Sequence, residues 1–94
     1  MNNLLWYLLG ATRGGGARAI ILNSLHQKPQ NTNQLSITLH LDYKTIQHHL
    51  KILEKHRLLT SLNKDQYGAV YFIDKELEKS WSDFEQIWKQ CGTK

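Results

Sequence analysis

Cysteine is nearly missing from this chain of 94 residues, with Cys91 the single one. One thiol excludes an intramolecular disulfide and a multi-thiolate metal site. It suits a reducing interior, so a cytoplasmic setting is expected. Long apolar runs are missing too: none approaches the ~20 residues of a membrane span. The apolar stretch at residues 4–9, LLWYLL, has no Lys or Arg before it and no small-x-small cleavage pattern after it. It therefore reads as structure rather than as a secretion signal. Catalytic signatures are also lacking. There is no G-x-x-x-x-G-K-[ST] loop, no nucleophile elbow and no carboxylate pair placed for a cleft, so neither an enzyme nor a bound cofactor is expected. His26, His40 and His56 fall on separate elements, and no metal site is expected from them.

What the chain does have is an ordinary globular balance, 40% hydrophobic and 21% charged, in a length that suits one domain. Its net charge of +4 is unevenly spread. Arg13, Arg18, Lys28, Lys44, Lys51, Lys55 and Arg57 against Asp42 and Glu54 give residues 1–60 a charge of +5, and residues 61–94 carry −1. The positive field sits with the first two-thirds of the chain.

The stretch at 42–59, DYKTIQHHLKILEKHRLL, organises that field. Read as a helix over 43–56, it puts Ile46, Leu50 and Leu53 on one face with His49 beside them. Lys44, His48, Lys51 and Lys55 fall on the opposite face, with Gln47 at its edge. A helix of this width fits the DNA major groove. Lys44, Thr45, Gln47, His48 and Lys51 are the candidates for base edges and phosphates, Gln47 suited to adenine and Lys44 or Lys51 to guanine. Lys55 lies further along and suits phosphate. His49 faces inward and reads as a packing residue.

Around this helix the chain reads in order. Residues 3–9 form a short apolar helix that Gly10 and Thr12 end. Residues 12–16, TRGGG, read as a hinge, or as a phosphate contact with Arg13 and Arg18 flanking. A helix from Ala17 to about Gln27 turns Ile20, Ile21 and Leu25 inward, and Pro29 stops it. Asn31, with Gln34 three residues on, is a capping-box start for a helix to about Leu39 that buries Leu35 and Leu39. Ser36 is small where two helices would cross. Asp42 caps the main helix. Two short helices joined by a tight turn make a helix-turn-helix. Residues 58–63 and 69–73 read as the strands of a hairpin, a wing whose tip carries Asn63, Lys64, Gln66 and Tyr67. Asp74 caps a last helix to about Gln90, where Leu77, Trp81, Phe84, Trp88 and Cys91 recur as a heptad-like seam. Two Trp and a Phe are more surface than so small a domain covers alone, so a second copy of the chain is the expected partner.

The motif NTNQLSITLHLDYKTIQHHLKILEKHRLL, followed by YGAVYFI, resembles the ArsR-type winged-helix regulators, in particular a small archaeal-type branch. Thr45, His49-Leu50, Leu53 and Leu58-Leu59 occupy the family's small-polar, His-Leu, Leu and wing-opening positions. His40 and Arg57 depart from it, standing where Gly is common because φ is positive, which costs another residue roughly 1 kcal/mol. The thiolate pair or the His/acid pairs of metal-sensing members are missing, so that property does not carry over. The resemblance implies a homodimeric DNA-binding transcription regulator, often a repressor, that dimerises through its first and last helices.

The expected fold is α+β and mostly α: a winged helix-turn-helix, with a three-helix core and β-hairpin wing over 17–73. An N-terminal helix at 1–11 and a C-terminal dimerisation helix at 74–91 complete a single domain. Lys44, Thr45, Gln47, His48, Lys51, Lys55, Lys64 and Tyr67 are the candidate DNA-binding residues. Leu4, Leu5, Leu8, Leu77, Trp81, Phe84 and Trp88 are the candidate dimer interface. The expected partners are double-stranded DNA and a second copy of the chain. The alternative is a winged helix used as a protein-interaction module without DNA binding.

Overall fold

The computed structural model describes residues 7–11, 14–62 and 68–92, and the chain enters it on one π-type helical turn, Tyr7–Ala11. That turn runs through Gly10 rather than stopping there. Helix α1, Gly15–Gln27, follows, starting two residues earlier than a glycine hinge would allow. Its first glycines serve close approach. A Cβ at Gly15 would collide with the Leu9 carbonyl oxygen and sit 2.6 Å from the Leu9 carbonyl carbon. Gly14, before the helix, holds φ 87°, a region open to glycine at no steric cost. The buried stripe of α1 is Arg18, Ala19, Ile21, Leu22 and Leu25. Ile20, expected inward, is 42% exposed, because at helical spacing it falls on the side opposite Arg18, Leu22 and Leu25.

After Pro29 the chain makes a two-residue strand, β1, Gln30–Asn31, which sequence reasoning did not anticipate. The Gln30 side chain is buried, its Nε2 donating to Ser24 Oγ at 2.9 Å and to the Ser24 carbonyl at 3.2 Å. Asn31 also caps α2, Thr32–Leu39. Its side chain accepts from Gln34 N at 2.7 Å while Gln34 Oε1 accepts from Asn31 N at 2.8 Å, the reciprocal arrangement expected of Asn-x-x-Gln. Helix α3, Tyr43–Lys55, comes next. Strands β2, Leu59–Leu62, and β3, Val70–Ile73, then pair antiparallel, Leu59 opposite Ile73 and Leu62 opposite Val70. The sheet order is β1-β3-β2.

Where the sequence suggests one last helix there are two, α4, Lys75–Lys79, and α5, Trp81–Gly92. They part at Ser80, whose hydroxyl donates to the Glu76 carbonyl at 3.1 Å and whose own carbonyl accepts from Asp83 N at 2.8 Å. A serine bonding back to the preceding turn favours such a break.

That break decides where the aromatic seam goes. Leu77, Trp81, Phe84 and Ile87 are buried in the chain's own core, and α5 packs on the N-terminal turn, whose Leu8 and Leu9 are buried with them. Trp81 lies between the His26 ring, stacked at 3.8 Å, and Phe84 at 4.4 Å. The expectation that Leu8, Leu77, Trp81 and Phe84 face a second copy is therefore corrected: their surface is consumed within one chain. Ile87 takes the place given to Trp88, which is only partly buried. Leu4 and Leu5 lie outside the described residues.

Candidate nucleic-acid interface

Helix α3 starts where Asp42 places it. The Asp42 Oδ2 accepts from Lys44 N at 3.0 Å and Thr45 N at 3.4 Å, satisfying two N–H groups with no partner inside the helix. The turn before it is held by Ser36, whose Oγ donates to the Leu41 carbonyl at 2.6 Å, while Leu41 N donates to the Ser36 carbonyl at 3.3 Å. Ser36 therefore ties the turn and is more than a small residue at a crossing. His40 closes α2 at φ 57°, ψ 40°, and Arg57 has φ 63° after α3. Both sites take the left-handed conformation without glycine, at a cost of roughly 1 kcal/mol each.

One face of α3 buries Ile46, His49, Leu50 and Leu53. The other bears Lys44, Thr45, Gln47, His48, Lys51 and Lys55, all exposed. Lys44, His48, Lys51 and Lys55 fall at spacings of 4, 3 and 4 and share one side of the helix. The helix has 13 residues, so the stripe runs along about 20 Å. Tyr43, exposed at the N-terminal end, adds an aromatic edge that sequence reasoning left out. Glu54, the one acid on α3, is drawn aside: its Oε2 accepts from Ser61 Oγ at 2.8 Å. Lys64 and Tyr67, the wing-tip candidates, lie outside the described residues.

The back of α3 rests on a buried cation. Arg18 is only 4% exposed. Its Nε donates to the Leu8 carbonyl at 2.9 Å and its Nη1 to His49 Nδ1 at 3.3 Å. A guanidinium cannot accept a hydrogen bond, so His49 is the neutral tautomer with its proton on Nε2. Burial, then the positive Arg18, then His48 push the His49 pKa down from its ordinary value of 6.5, favouring that neutral form. This contact links the N-terminal turn, α1 and α3. The Arg18 guanidinium is therefore bonded to Leu8 and His49, and is not the outward cation flanking the glycine loop that the sequence suggests. The signal against that reading was its register, since Arg18 shares a stripe with Ile21, Leu22 and Leu25. Among the described residues no three His, Cys, Asp or Glu side chains converge to hold a metal, and no helix is long and apolar enough to cross a membrane.

Against known proteins this geometry has clear counterparts. Residues 16–61 match the model of the bacterial regulatory proteins of the arsR family, and the helices and small sheet have the order of a winged helix-turn-helix. The match spans α1 through β2 and includes the exposed stripe. It supports a DNA-binding regulator. The transcriptional regulator HlyU of Vibrio vulnificus is similar in structure, with TM-score 0.67 and 20% identity over 94% of this chain and 85% of that one. Reduced HlyU of Vibrio cholerae is similar at TM-score 0.66 and 17% identity, over 98% of this chain and 90% of that one. The ST1889 protein of the archaeon Sulfolobus tokodaii is similar at 0.53 and 23%, over 79% and 73%. At these identities the likeness is one of fold. No curated protein matches the chain in sequence.

Proposed function

We propose that this chain is a sequence-specific, double-stranded-DNA-binding transcription regulator that works as a homodimer and represses where it binds. The observation that carries the reading is the exposed side of α3. Four cationic or protonatable side chains lie along the second helix of a helix-turn-helix whose other face is wholly committed to the core. Residues at the start of such a helix enter the major groove deepest. Lys44, Thr45 and Gln47, with His48 and Lys51 behind them, are the base-edge set, and Lys55 meets phosphate. Lys64 and Tyr67 complete the proposed DNA-binding set. For the dimer, Trp88 is the remaining aromatic of the seam. It lines a groove of roughly 450 Å³ with Asn23, Ser82 and Lys89, and Ile20 lies exposed on the same helix as Asn23.

Selection of bound sequences from a random duplex pool tests this reading. The expected result is an enriched, two-fold symmetric site with half-sites about 10 base pairs apart, one helical turn. A pool that returns no enriched sequence, under conditions where the protein is folded, counts against it.

A further inference from the structure

Beside the C-terminal half of α3 lies a groove of roughly 340 Å³, lined by Tyr7, Arg18, His48, Ile52, Lys55 and His56 together with Leu8. Its size falls in the range of small-ligand sites. Its lining is chemically one-sided. Arg18 and Lys55 bring two fixed positive charges, His48 and His56 bring two imidazoles, and no lining residue is acidic. Arg18 lines the groove as a residue only 4% exposed, its guanidinium oriented by the Leu8 carbonyl and His49. A positive charge held in a partly desolvated site acts more strongly than one in water. The helix dipole works the other way, since α3 ends here and its C-terminus repels anions. That effect is worth about half a charge, so two full side-chain charges outweigh it.

We propose that this groove is a binding site for a phosphate group, carried by a small phosphate ester that seats between the N-terminal turn and α3. Guanidinium and ammonium together suit a tetrahedral oxyanion, and the Tyr7 edge and Ile52 offer apolar surface to the rest of the ligand. His48 and Lys55 belong both to this groove and to the exposed stripe of α3, so an occupied groove alters DNA affinity. That consequence, unlike the site itself, rests on the DNA-binding reading. A phosphate of the DNA backbone has the same chemistry, and the experiment separates the two sources.

The test uses the full chain and the variant Tyr7→Glu. Tyr7 is 56% exposed, so the carboxylate reaches the Arg18 side of the groove without entering the core, and thermal melting checks that the variant folds. In the first arm inorganic phosphate is titrated calorimetrically into the protein without DNA, against chloride at equal ionic strength. Saturable one-to-one binding, weakened at least tenfold in Tyr7→Glu and in Lys55→Gln, supports the site for a free phosphate ligand. In the second arm a duplex is titrated. No phosphate binding in the first arm, with a tenfold loss of duplex affinity in Tyr7→Glu, assigns the groove to the DNA backbone. The proposal falls if phosphate fails to bind and Tyr7→Glu leaves duplex affinity unchanged, or if phosphate binds equally to both variants and the parent. If phosphate binds the groove while no duplex is bound, the site stands and the DNA-binding reading falls.

Discussion

Gly15 and Gly16 are neighbours in the first turn of α1, yet a methyl group at each should act in opposite directions. At Gly16 a Cβ would meet nothing within 4 Å. Alanine there stabilises the helix and restricts the unfolded chain, together by about 0.5–1 kcal/mol. In a domain of this size that raises Tm by several degrees. At Gly15 the same gain is opposed by the backbone of the N-terminal turn. The added Cβ lies 2.6 Å from the Leu9 carbonyl carbon, where ordinary contact begins at 3.4 Å, so the turn must retreat by about 0.8 Å at the least. Backbone cannot rotate away as a side chain can. Overpacking of this kind costs about 1–3 kcal/mol or more, and the displaced turn carries Leu8 and Leu9, both buried. Gly15→Ala is therefore expected to lose a net ~1–2 kcal/mol and to melt well below the parent chain. Thermal and urea unfolding of the two variants side by side measures this. A Gly15→Ala protein that melts at or above Gly16→Ala would show that the turn does not sit against α1 as described.

Other outcomes follow from the same packing. Phe84→Ala should cost about 3–5 kcal/mol in urea unfolding, because the ring is fully enclosed between Trp81 and the N-terminal turn's core; a loss under ~1 kcal/mol would place α5 elsewhere. For His49, the folded pKa lies below the ordinary 6.5, so the unfolded chain takes up the proton first. Its contribution is complete above about pH 6.5 and is lost as pH falls through that value toward the folded pKa. The extra loss of stability on going below pH 6.5 should be absent in His49→Asn, and identical pH profiles would remove any role for His49 in acid sensitivity. If Trp88 and Ile20 form the dimer face, Trp88→Glu gives a monomer by light scattering at concentrations where the parent is a dimer.

Much of this arrangement could be read from local sequence because its causes are local. The apolar spacing of Ile46, Leu50 and Leu53 defines the inner face of α3, and the short side chains of Asn31 and Asp42 start α2 and α3 through bonds only two or three residues away. His40 and Arg57 take positive φ at the places where the family resemblance puts Gly. What was hidden depends on partners distant in the chain. Gly15 is needed because Leu9 crosses α1, which no window around TRGGG displays. Strand β1 exists because β3, some forty residues later, pairs with it. The seam of Leu77, Trp81 and Phe84 has the spacing of a helix that meets another molecule. Its direction is set by one broken turn at Ser80, which turns those rings into the chain's own core. Arg18 shows the same divide: as a formal charge it suggests a solvent-facing contact at the glycine loop, yet its register among Ile21, Leu22 and Leu25 places it inside, against Leu8 and His49.

If the outward side of α3 engages the phosphates and bases of a duplex, binding must depend on salt, and that dependence is the most direct test. Affinity for duplex, measured across salt, should fall with a steep negative slope in log K against log salt. Removing one phosphate-binding side chain should make that slope shallower by about one, as expected for Lys55→Gln. A slope near zero, or one that Lys44→Gln, Lys51→Gln and Lys55→Gln together leave unchanged, would contradict engagement of DNA by this face.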